Sequence, residues 1–157
     1  MQQARVLIVD DEPLVRQALS AWLRRKHFHV VEAEGGRQAM EMIRKDEPDL
    51  VISDMVMPGM DGLRLLKEAR AINAAVPFLM VTGYPSPSDA SEAIKQGAQD
   101  YLAKPFKPEE LTRRVNRMLL NKFVAGSHAP AKGIILGTSV SAILWALAIG
   151  ALYAFFS

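Results

Sequence analysis

The sequence has no cysteine and, in its last part, almost no charge. The absence of Cys among 157 residues excludes disulfides and thiolate metal sites. All 17 acidic residues and all but two of the 19 Lys and Arg residues lie within residues 1–121, so that part of the chain is neutral. A neutral domain lacks the positive field that attracts nucleic acid, and we expect no nucleic-acid partner. The only apolar run near the amino end, residues 6–9, is too short for a signal peptide.

Short apolar runs alternate with segments of helical periodicity along residues 1–122. The runs are too short for helices and are bounded by polar or turn residues, which indicates strands at 6–9, 30–31, 50–52, 78–81 and 101–103. Three of them are almost continuously apolar, as expected for strands that helices cover on both faces. Five strands, each followed by a helix, predict an α/β fold with a five-stranded parallel sheet and helices on both faces.

Local signals set the faces and ends of the predicted helices. In the first helix, Leu14, Leu19 and Trp22 share one face, which we expect to pack against the sheet. Asp61 is the predicted amino-terminal cap of the third helix. Residues 123–133 are mostly small, with Gly, Pro and Ser, and we interpret them as a linker after a domain of residues 1–122.

Acidic side chains stand directly after two of the predicted strands. Asp10 and Asp11 follow the first strand, and Asp54 follows the third. Ligands of doubly wound sheets bind where the carboxyl ends of the strands meet, so we expect these side chains to converge. Three carboxylates in one small site repel one another unless a cation joins them, and hard oxygen ligands without His or Cys favour Mg²⁺.

Two further polar residues face the same crevice. Thr82 ends the fourth strand, and Lys104 ends the fifth. A hydroxyl, an ammonium group and a metal ion around one carboxylate form a site for a phosphoryl group, because each binds a different oxygen. Each residue alone could be a turn, a helix cap or part of a surface loop. Their common position at strand ends favours the functional interpretation.

Four segments carry a family resemblance: VLIVDDE, SDMVMPGMDG, LMVTGYP and DYLAKPF, in this order. Together they resemble the receiver domains of bacterial two-component response regulators, over about residues 4–121. The resemblance implies a flavodoxin-like strand order of 2-1-3-4-5. It also implies a phosphorelay protein that receives a phosphoryl group from a sensor histidine kinase or a histidine phosphotransfer protein. Such a protein catalyses only its own phosphorylation and dephosphorylation, so we expect a phosphoacceptor rather than an enzyme.

The resemblance also assigns a role to each matching position. Asp54 would be the phosphoacceptor, and Mg²⁺ would be held by Asp10, Asp11, Asp54 and the backbone carbonyl of Val56. Lys104 would contact the phosphoryl group. Thr82, Tyr101 and Pro105 would form the conformational switch, with a cis bond between Lys104 and Pro105. Val56 and Tyr84 occupy the two positions that tune hydrolysis in the family. Neither orients a water well, so we expect slow loss of phosphate.

Residues 134–156 form an uncharged, apolar stretch. As a helix they would span about 34 Å, enough for a hydrocarbon core of about 30 Å, which predicts a single transmembrane helix. Lys122 and Lys132 lie on its amino side, and the positive-inside rule then puts the receiver in the cytoplasm, at the cell's inner membrane. The alternatives are a helix buried in a soluble oligomer or partner, and a disordered end.

Small residues recur every fourth position in this stretch, which allows two membrane helices to approach closely. They are Thr138, Ala142, Ala146, Gly150 and Ala154. Self-association or pairing with another membrane protein is therefore a hypothesis. The whole pattern predicts a receiver that signals by protein contact at the membrane. Two alternatives stay open: a membrane scaffold that does not switch, and a phosphate sink that drains a kinase.

Overall fold

The computed structural model describes residues 3–127, which form five strands and five helices in strict alternation. The strands are β1 (Arg5–Val9), β2 (His29–Ala33), β3 (Leu50–Asp54), β4 (Phe78–Thr82) and β5 (Asp100–Ala103). The helices are α1 (Pro13–Arg25), α2 (Gly36–Asp46), α3 (Gly62–Ile72), α4 (Pro87–Lys95) and α5 (Pro108–Ser127). Each helix returns the chain to the starting edge of the sheet, which is what a parallel arrangement requires.

All neighbouring strands pair in parallel, in the order β2-β1-β3-β4-β5. The predicted sheet and strand order are confirmed. The second strand is longer than predicted, because β2 keeps its full register with β1 although His29 and Glu32 interrupt its apolar pattern. The carboxyl ends of β1, β3, β4 and β5 therefore lie side by side at one edge.

Helices cover both faces of the sheet, and alternate strand residues point to opposite faces. Val6 and Ile8 of β1 face a core layer built with α1 and α5, whereas Leu7 and Val9 face a layer built with α2, α3 and α4. The predicted cap is confirmed, since the Asp61 carboxylate accepts a hydrogen bond of 2.8 Å from the Arg64 backbone N–H.

The predicted buried face of α1 is wrong by a small rotation. Leu14 is 81% exposed, whereas the buried positions of this helix are Arg16, Ser20 and Leu23. Leu19 and Trp22 lie at the margin of the core, partly buried. Apolar periodicity misplaced the face because two of the three buried residues are polar.

The carboxyl end of α5 also differs from the prediction. The helix continues through Ser127, so residues 123–127 of the predicted linker are helical. Extending an existing helix adds one hydrogen bond for each residue fixed, which outweighs the weak helix propensity of single small residues. Among residues 3–127, no helix is both long and apolar enough to cross a membrane. The predicted transmembrane helix at 134–156 lies outside the described residues.

Candidate functional site

Three carboxylates meet at the carboxyl edge of the sheet. Asp10 follows β1 and Asp54 ends β3, and these strands are neighbours through the pairing of Val9 with Ser53. Asp10, Glu12 and Asp54 each offer an oxygen atom within 4.8 Å of the others. Asp10 and Asp54 are only 2% and 7% exposed, which places two carboxylates largely out of water.

Lys104 is the cation that contacts this acidic cluster. Its Nζ atom lies 3.0 Å from Asp10 Oδ2 and 3.2 Å from Asp54 Oδ2. Burial alone would lower the pKa of Lys104, but the hydrogen bonds and charges of Asp10 and Asp54 outweigh it, so the pKa is raised. The ammonium group is therefore charged at neutral pH.

The donor set at this edge fits a divalent metal ion such as Mg²⁺. One ammonium group cannot balance three carboxylates, so the cluster keeps an excess of negative charge. Carboxylate oxygens without nitrogen or sulfur ligands are the set that hard cations prefer. Asp11, a predicted ligand, is not a member of this cluster, and Glu12 is. Asp10 Oδ1 accepts a 2.9 Å hydrogen bond from the Glu12 backbone N–H, a local turn that brings Glu12 towards the site.

The two carboxylate oxygens of Asp54 have different donors. Oδ2 faces Lys104, and Oδ1 accepts a 3.3 Å hydrogen bond from the Val56 backbone N–H. The chain after Asp54 folds back closely, because a Cβ atom at Gly62 would collide with the Asp54 carbonyl oxygen and the Met55 Cα atom. Gly62 thus permits the turn that holds Asp54 in place. The Val56 carbonyl stays a predicted metal ligand.

Asp10 is hydrogen-bonded through every one of its polar groups. Its backbone N–H donates to the Ala33 carbonyl at 3.2 Å, and its carbonyl accepts from Arg16 Nη1 at 2.6 Å. Its two carboxylate oxygens accept hydrogen bonds from the Glu12 backbone N–H and from Lys104 Nζ. Sequence reasoning missed Arg16. Its position could have revealed it, because Arg16 lies four residues before Ser20 on the face of α1 that points into the protein.

Thr82 lies beside Asp54, one residue beyond the Val81 that pairs with Asp54 across the sheet. It is fully buried, and its hydroxyl accepts a 3.1 Å hydrogen bond from the Tyr84 backbone N–H. Its carbonyl accepts a 2.7 Å hydrogen bond from the Lys104 backbone N–H, which fixes the start of the Lys104 loop. The predicted cis bond between Lys104 and Pro105 is confirmed.

Tyr101 lies in β5 with its ring packed against the core layer of α2, α3 and α4. Its hydroxyl is buried and has no hydrogen-bond partner among residues 3–127. The preceding residue, Asp100, is held by Arg114 Nη1 at 2.7 Å and Arg117 Nη2 at 2.6 Å. Helix α5 is therefore tied to the strand that carries Tyr101.

Exposed apolar side chains follow three of the strands that form the site. Leu14 is 81% exposed, Val56 is 57% exposed and Tyr84 is 78% exposed. The structure brings together Asp10, Asp54 and Lys104 and places Thr82 beside them.

Comparison with known proteins agrees with this geometry. The family described as "Response regulator receiver domain" matches residues 6–116. The transcriptional regulatory protein ZraR of Escherichia coli is 40% identical over 126 residues, which are 80% of this chain and 29% of that protein. The response regulator MprA of Mycolicibacterium vanbaalenii is 38% identical over 115 residues, 73% of this chain and 50% of that protein. The chain therefore spans half or less of these two curated relatives.

Solved structures give the same result for the fold. The chemotaxis protein CheY4 of Vibrio cholerae has 36% sequence identity and a TM-score of 0.72, with 74% of this chain and 99% of that chain covered. A response regulator from Chloroflexus aurantiacus has 38% identity and a TM-score of 0.72, with 76% and 99% covered. Since the family match covers most of the chain and the acidic edge has the geometry described above, this protein belongs to the response regulator receiver domain family.

Proposed function

We propose that Asp54 accepts a phosphoryl group from a phosphohistidine of a sensor histidine kinase or a histidine phosphotransfer protein. The observation that carries this proposal is a buried Asp54 carboxylate that shares one lysine with a second buried carboxylate. Lys104 and the Val56 N–H each hold one oxygen of Asp54, so the nucleophile is oriented before a donor arrives. The chain acts as a phosphoacceptor that promotes its own phosphorylation and dephosphorylation, not as an enzyme on another substrate.

The proposed reaction transfers the phosphoryl group from the phosphohistidine nitrogen to an oxygen of Asp54. An Asp54 oxygen forms a bond to phosphorus while the phosphorus–nitrogen bond of the donor breaks, and the electron pair stays on the imidazole, which takes up a proton. Lys104 offsets negative charge on the transferred group. Asp10, Glu12 and Asp54, with Asp11 and the Val56 carbonyl as predicted ligands, would hold Mg²⁺. When bound, that ion would neutralise charge on the phosphoryl oxygens.

The switch that follows phosphorylation is proposed from Thr82 and Tyr101. Thr82 would turn its hydroxyl to the phosphoryl group and exchange its bond with the Tyr84 N–H for one with a phosphoryl oxygen. Tyr101 would fill the space that Thr82 leaves, and no hydrogen bond of its hydroxyl within residues 3–127 has to break for this movement. Because Asp100 ties β5 to α5, the change would reach the face formed by α4, β5 and α5.

The phosphorylated form is proposed to be long-lived. Val56 and Tyr84 border the site as exposed side chains, and neither carries a carboxylate or amide that could orient an attacking water. A phosphoryl lifetime as short as that of rapidly hydrolysing receivers would contradict this.

The decisive test of the acceptor is borohydride reduction of the phosphorylated chain, since borohydride cleaves an acyl phosphate. Peptide mass spectrometry should then locate the reduced residue at position 54.

Anchoring at the cytoplasmic side of the inner membrane is the second part of the proposal. It is supported by the uncharged stretch 134–156. Leu120 and Phe123, near the end of α5, are 64% and 73% exposed, as suits a surface beside lipid.

Membrane fractionation tests the anchor directly. The full chain should resist an alkaline carbonate wash, whereas a version that ends at Ser127 should be soluble. Protease should cut the receiver only from the cytoplasmic side. A full chain that washes off would instead indicate that the stretch 134–156 is buried against protein.

A receiver that signals through DNA is the alternative function, because ZraR is named a transcriptional regulatory protein. Protein contact at the membrane is favoured here by the neutral charge of residues 1–121. Crosslinking in cells distinguishes DNA binding from protein contact at the membrane. Recovery of specific DNA with the phosphorylated chain would support the alternative, and recovery of membrane proteins would support the proposal. A variant Asp54→Asn that keeps all partner contacts would favour the scaffold without a switch.

A further inference from the structure

Arg16 is the buried cation of this domain that has no place in the proposed phosphoryl chemistry. It is 8% exposed, and it is the only Lys or Arg among the residues that are buried in the described part of the chain. Four of the other five buried polar residues, Asp10, Ser53, Asp54 and Thr82, lie at the end of a strand at the site. A buried guanidinium is costly unless it is fully paired, so its partners indicate its use.

The contacts of Arg16 join the ends of β1 and β2. Nη1 donates to the Asp10 carbonyl oxygen at 2.6 Å, in a buried hydrogen bond. Nε lies 3.5 Å from Glu32 Oε2, and Nη2 lies 3.9 Å from Glu34 Oε1. The two glutamates compensate most of the positive charge, so the effect of Arg16 on the site is geometric rather than electrostatic.

The bond to the Asp10 carbonyl fixes the peptide plane between Asp10 and Asp11. The Ala33 carbonyl already holds the N–H of Asp10. With Arg16 in place, the backbone of Asp10 is held on both sides, and its carboxylate accepts hydrogen bonds from Lys104 Nζ and the Glu12 backbone N–H. Without Arg16, a buried carbonyl loses its donor and the loop 10–12 must rearrange to recover one.

We propose that Arg16 is a positioning residue for the metal-binding acidic loop. It keeps Asp10 and Glu12 in the arrangement that a divalent cation requires, and it does not touch the phosphoryl group itself. An arginine suits this role because its planar fork reaches the carbonyl of one strand end and a carboxylate of the next at the same time. The inference rests on the proposed Mg²⁺ binding at the Asp54 site.

Arg24 offers a matched control. It lies on the same helix and pairs with the same glutamate, with Nη2 2.9 Å from Glu32 Oε1. Its Nη2 also donates to the Val30 carbonyl at 3.3 Å, which lies near the amino end of β2 and not at the site. Arg16→Gln and Arg24→Gln therefore remove the same charge and one Glu32 partner each, but only the first releases Asp10.

The test is the affinity of the full chain for Mg²⁺, measured by displacement of Mn²⁺ whose unbound fraction is read by electron paramagnetic resonance. Arg16→Gln should weaken the affinity about tenfold or more, the effect typical of residues that orient metal ligands. Arg24→Gln should stay within about twofold of the wild type. Unfolding by urea in the presence of EDTA, run on the same samples, reports the purely structural effect of each change.

The outcomes separate the alternatives. Unchanged Mg²⁺ affinity in Arg16→Gln, or an equal loss of affinity in Arg24→Gln, would show that Arg16 only stabilises the fold and would overturn the inference. If Arg16→Gln does not fold, Arg16→Lys replaces it. Arg16 reaches the Asp10 carbonyl and the Glu32 carboxylate with two separate nitrogens, Nη1 and Nε, whereas a lysine offers a single nitrogen, so weaker Mg²⁺ binding is again expected, and wild-type affinity would overturn the inference. A wild type that binds neither ion would overturn the metal site of the proposed function as well.

Discussion

Acidic side chains gather at both edges of the sheet, but their partners differ. At the carboxyl edge, Asp10 and Asp54 share one cation, Lys104, and Glu12 adds a third carboxylate. Two of these carboxylates are buried, so water screens their mutual repulsion poorly. This edge is left with unbalanced negative charge in a low-dielectric environment.

At the amino edge, each of two acids has its own basic partner. Asp49 Oδ1 lies 2.9 Å from Lys122 Nζ, and Asp49 Oδ2 accepts a 2.9 Å hydrogen bond from the Arg5 backbone N–H. Asp46 Oδ1 lies 3.8 Å from Arg5 Nη1. The side chains of Asp46 and Asp49 are 38% and 42% exposed, so water also solvates them.

The difference shows how one fold separates stability from function. The amino edge satisfies its acids within the chain and needs nothing further. The carboxyl edge keeps its acids short of positive charge, which costs stability in the isolated chain and creates affinity for a cation and a phosphoryl group. Substitutions at each edge, and addition of Mg²⁺, test whether the two edges differ in this way.

Removal of the acceptor should abolish phosphorylation. Asp54→Asn leaves the shape of the carboxyl edge but replaces the carboxylate with an amide, which does not attack phosphorus. Intact mass after incubation with a small phosphodonor and Mg²⁺ should show no added phosphoryl group. Asp49→Asn, the same change at the amino edge, should be phosphorylated like the wild type. Phosphate on Asp54→Asn would place the acceptor elsewhere.

Removal of the cation at the carboxyl edge should destabilise the fold. Lys104→Met leaves two buried carboxylates without their partner, and breaking a buried pair costs about 3 kcal/mol of unfolding free energy. Urea unfolding at pH 7 in EDTA measures it. Because the pKa of Lys104 is raised, its contribution is complete below about pH 10 and is lost as the pH rises through the folded-state pKa. A deficit in Lys104→Met that persists unchanged above that pKa would contradict this assignment.

Addition of Mg²⁺ should stabilise the wild type through the carboxyl edge alone. At a free concentration ten times the dissociation constant, the expected gain in unfolding free energy is about 1.4 kcal/mol. Asp54→Asn should show a smaller gain because one carboxylate ligand is missing. Asp49→Asn should keep the full gain. An equal gain in both variants would mean that the ion binds without preference for the carboxyl edge.

The carboxyl edge was largely predictable from the sequence, and the amino edge was not. Asp10, Asp54 and Lys104 stand directly at strand ends, and parallel strands end at one edge, so local pattern and topology suffice to bring them together. Glu12 and Arg16 were missed for a different reason. Their place depends on a turn at Asp10 and on a polar helix face, and neither leaves an apolar signature.

Pairs at the amino edge join residues far apart in the sequence, 41 positions between Arg5 and Asp46 and 73 between Asp49 and Lys122. No local pattern specifies such pairs. The pair of Asp49 and Lys122 forms only once α5 has packed on the sheet and carried Lys122 to the start of β3.

The smallest effect is expected from loss of the ion pair at the amino edge. Lys122→Met should cost about 0.5 kcal/mol or less of unfolding free energy at pH 7, because both side chains are partly exposed and screened.

The pH dependence of this effect follows from Asp49. Partial burial alone would raise the pKa of Asp49, but the hydrogen bonds from Lys122 and the Arg5 N–H outweigh it, so the pKa is lowered. The contribution of Asp49 is thus present above its unfolded-state pKa of about 3.9 and is lost as the pH falls through the lower folded-state value. The stability difference between wild type and Lys122→Met, from urea unfolding between pH 7 and acid, should vanish below that value, without any change in Mg²⁺ binding. A cost as large as that of Lys104→Met would remove the distinction between the two edges.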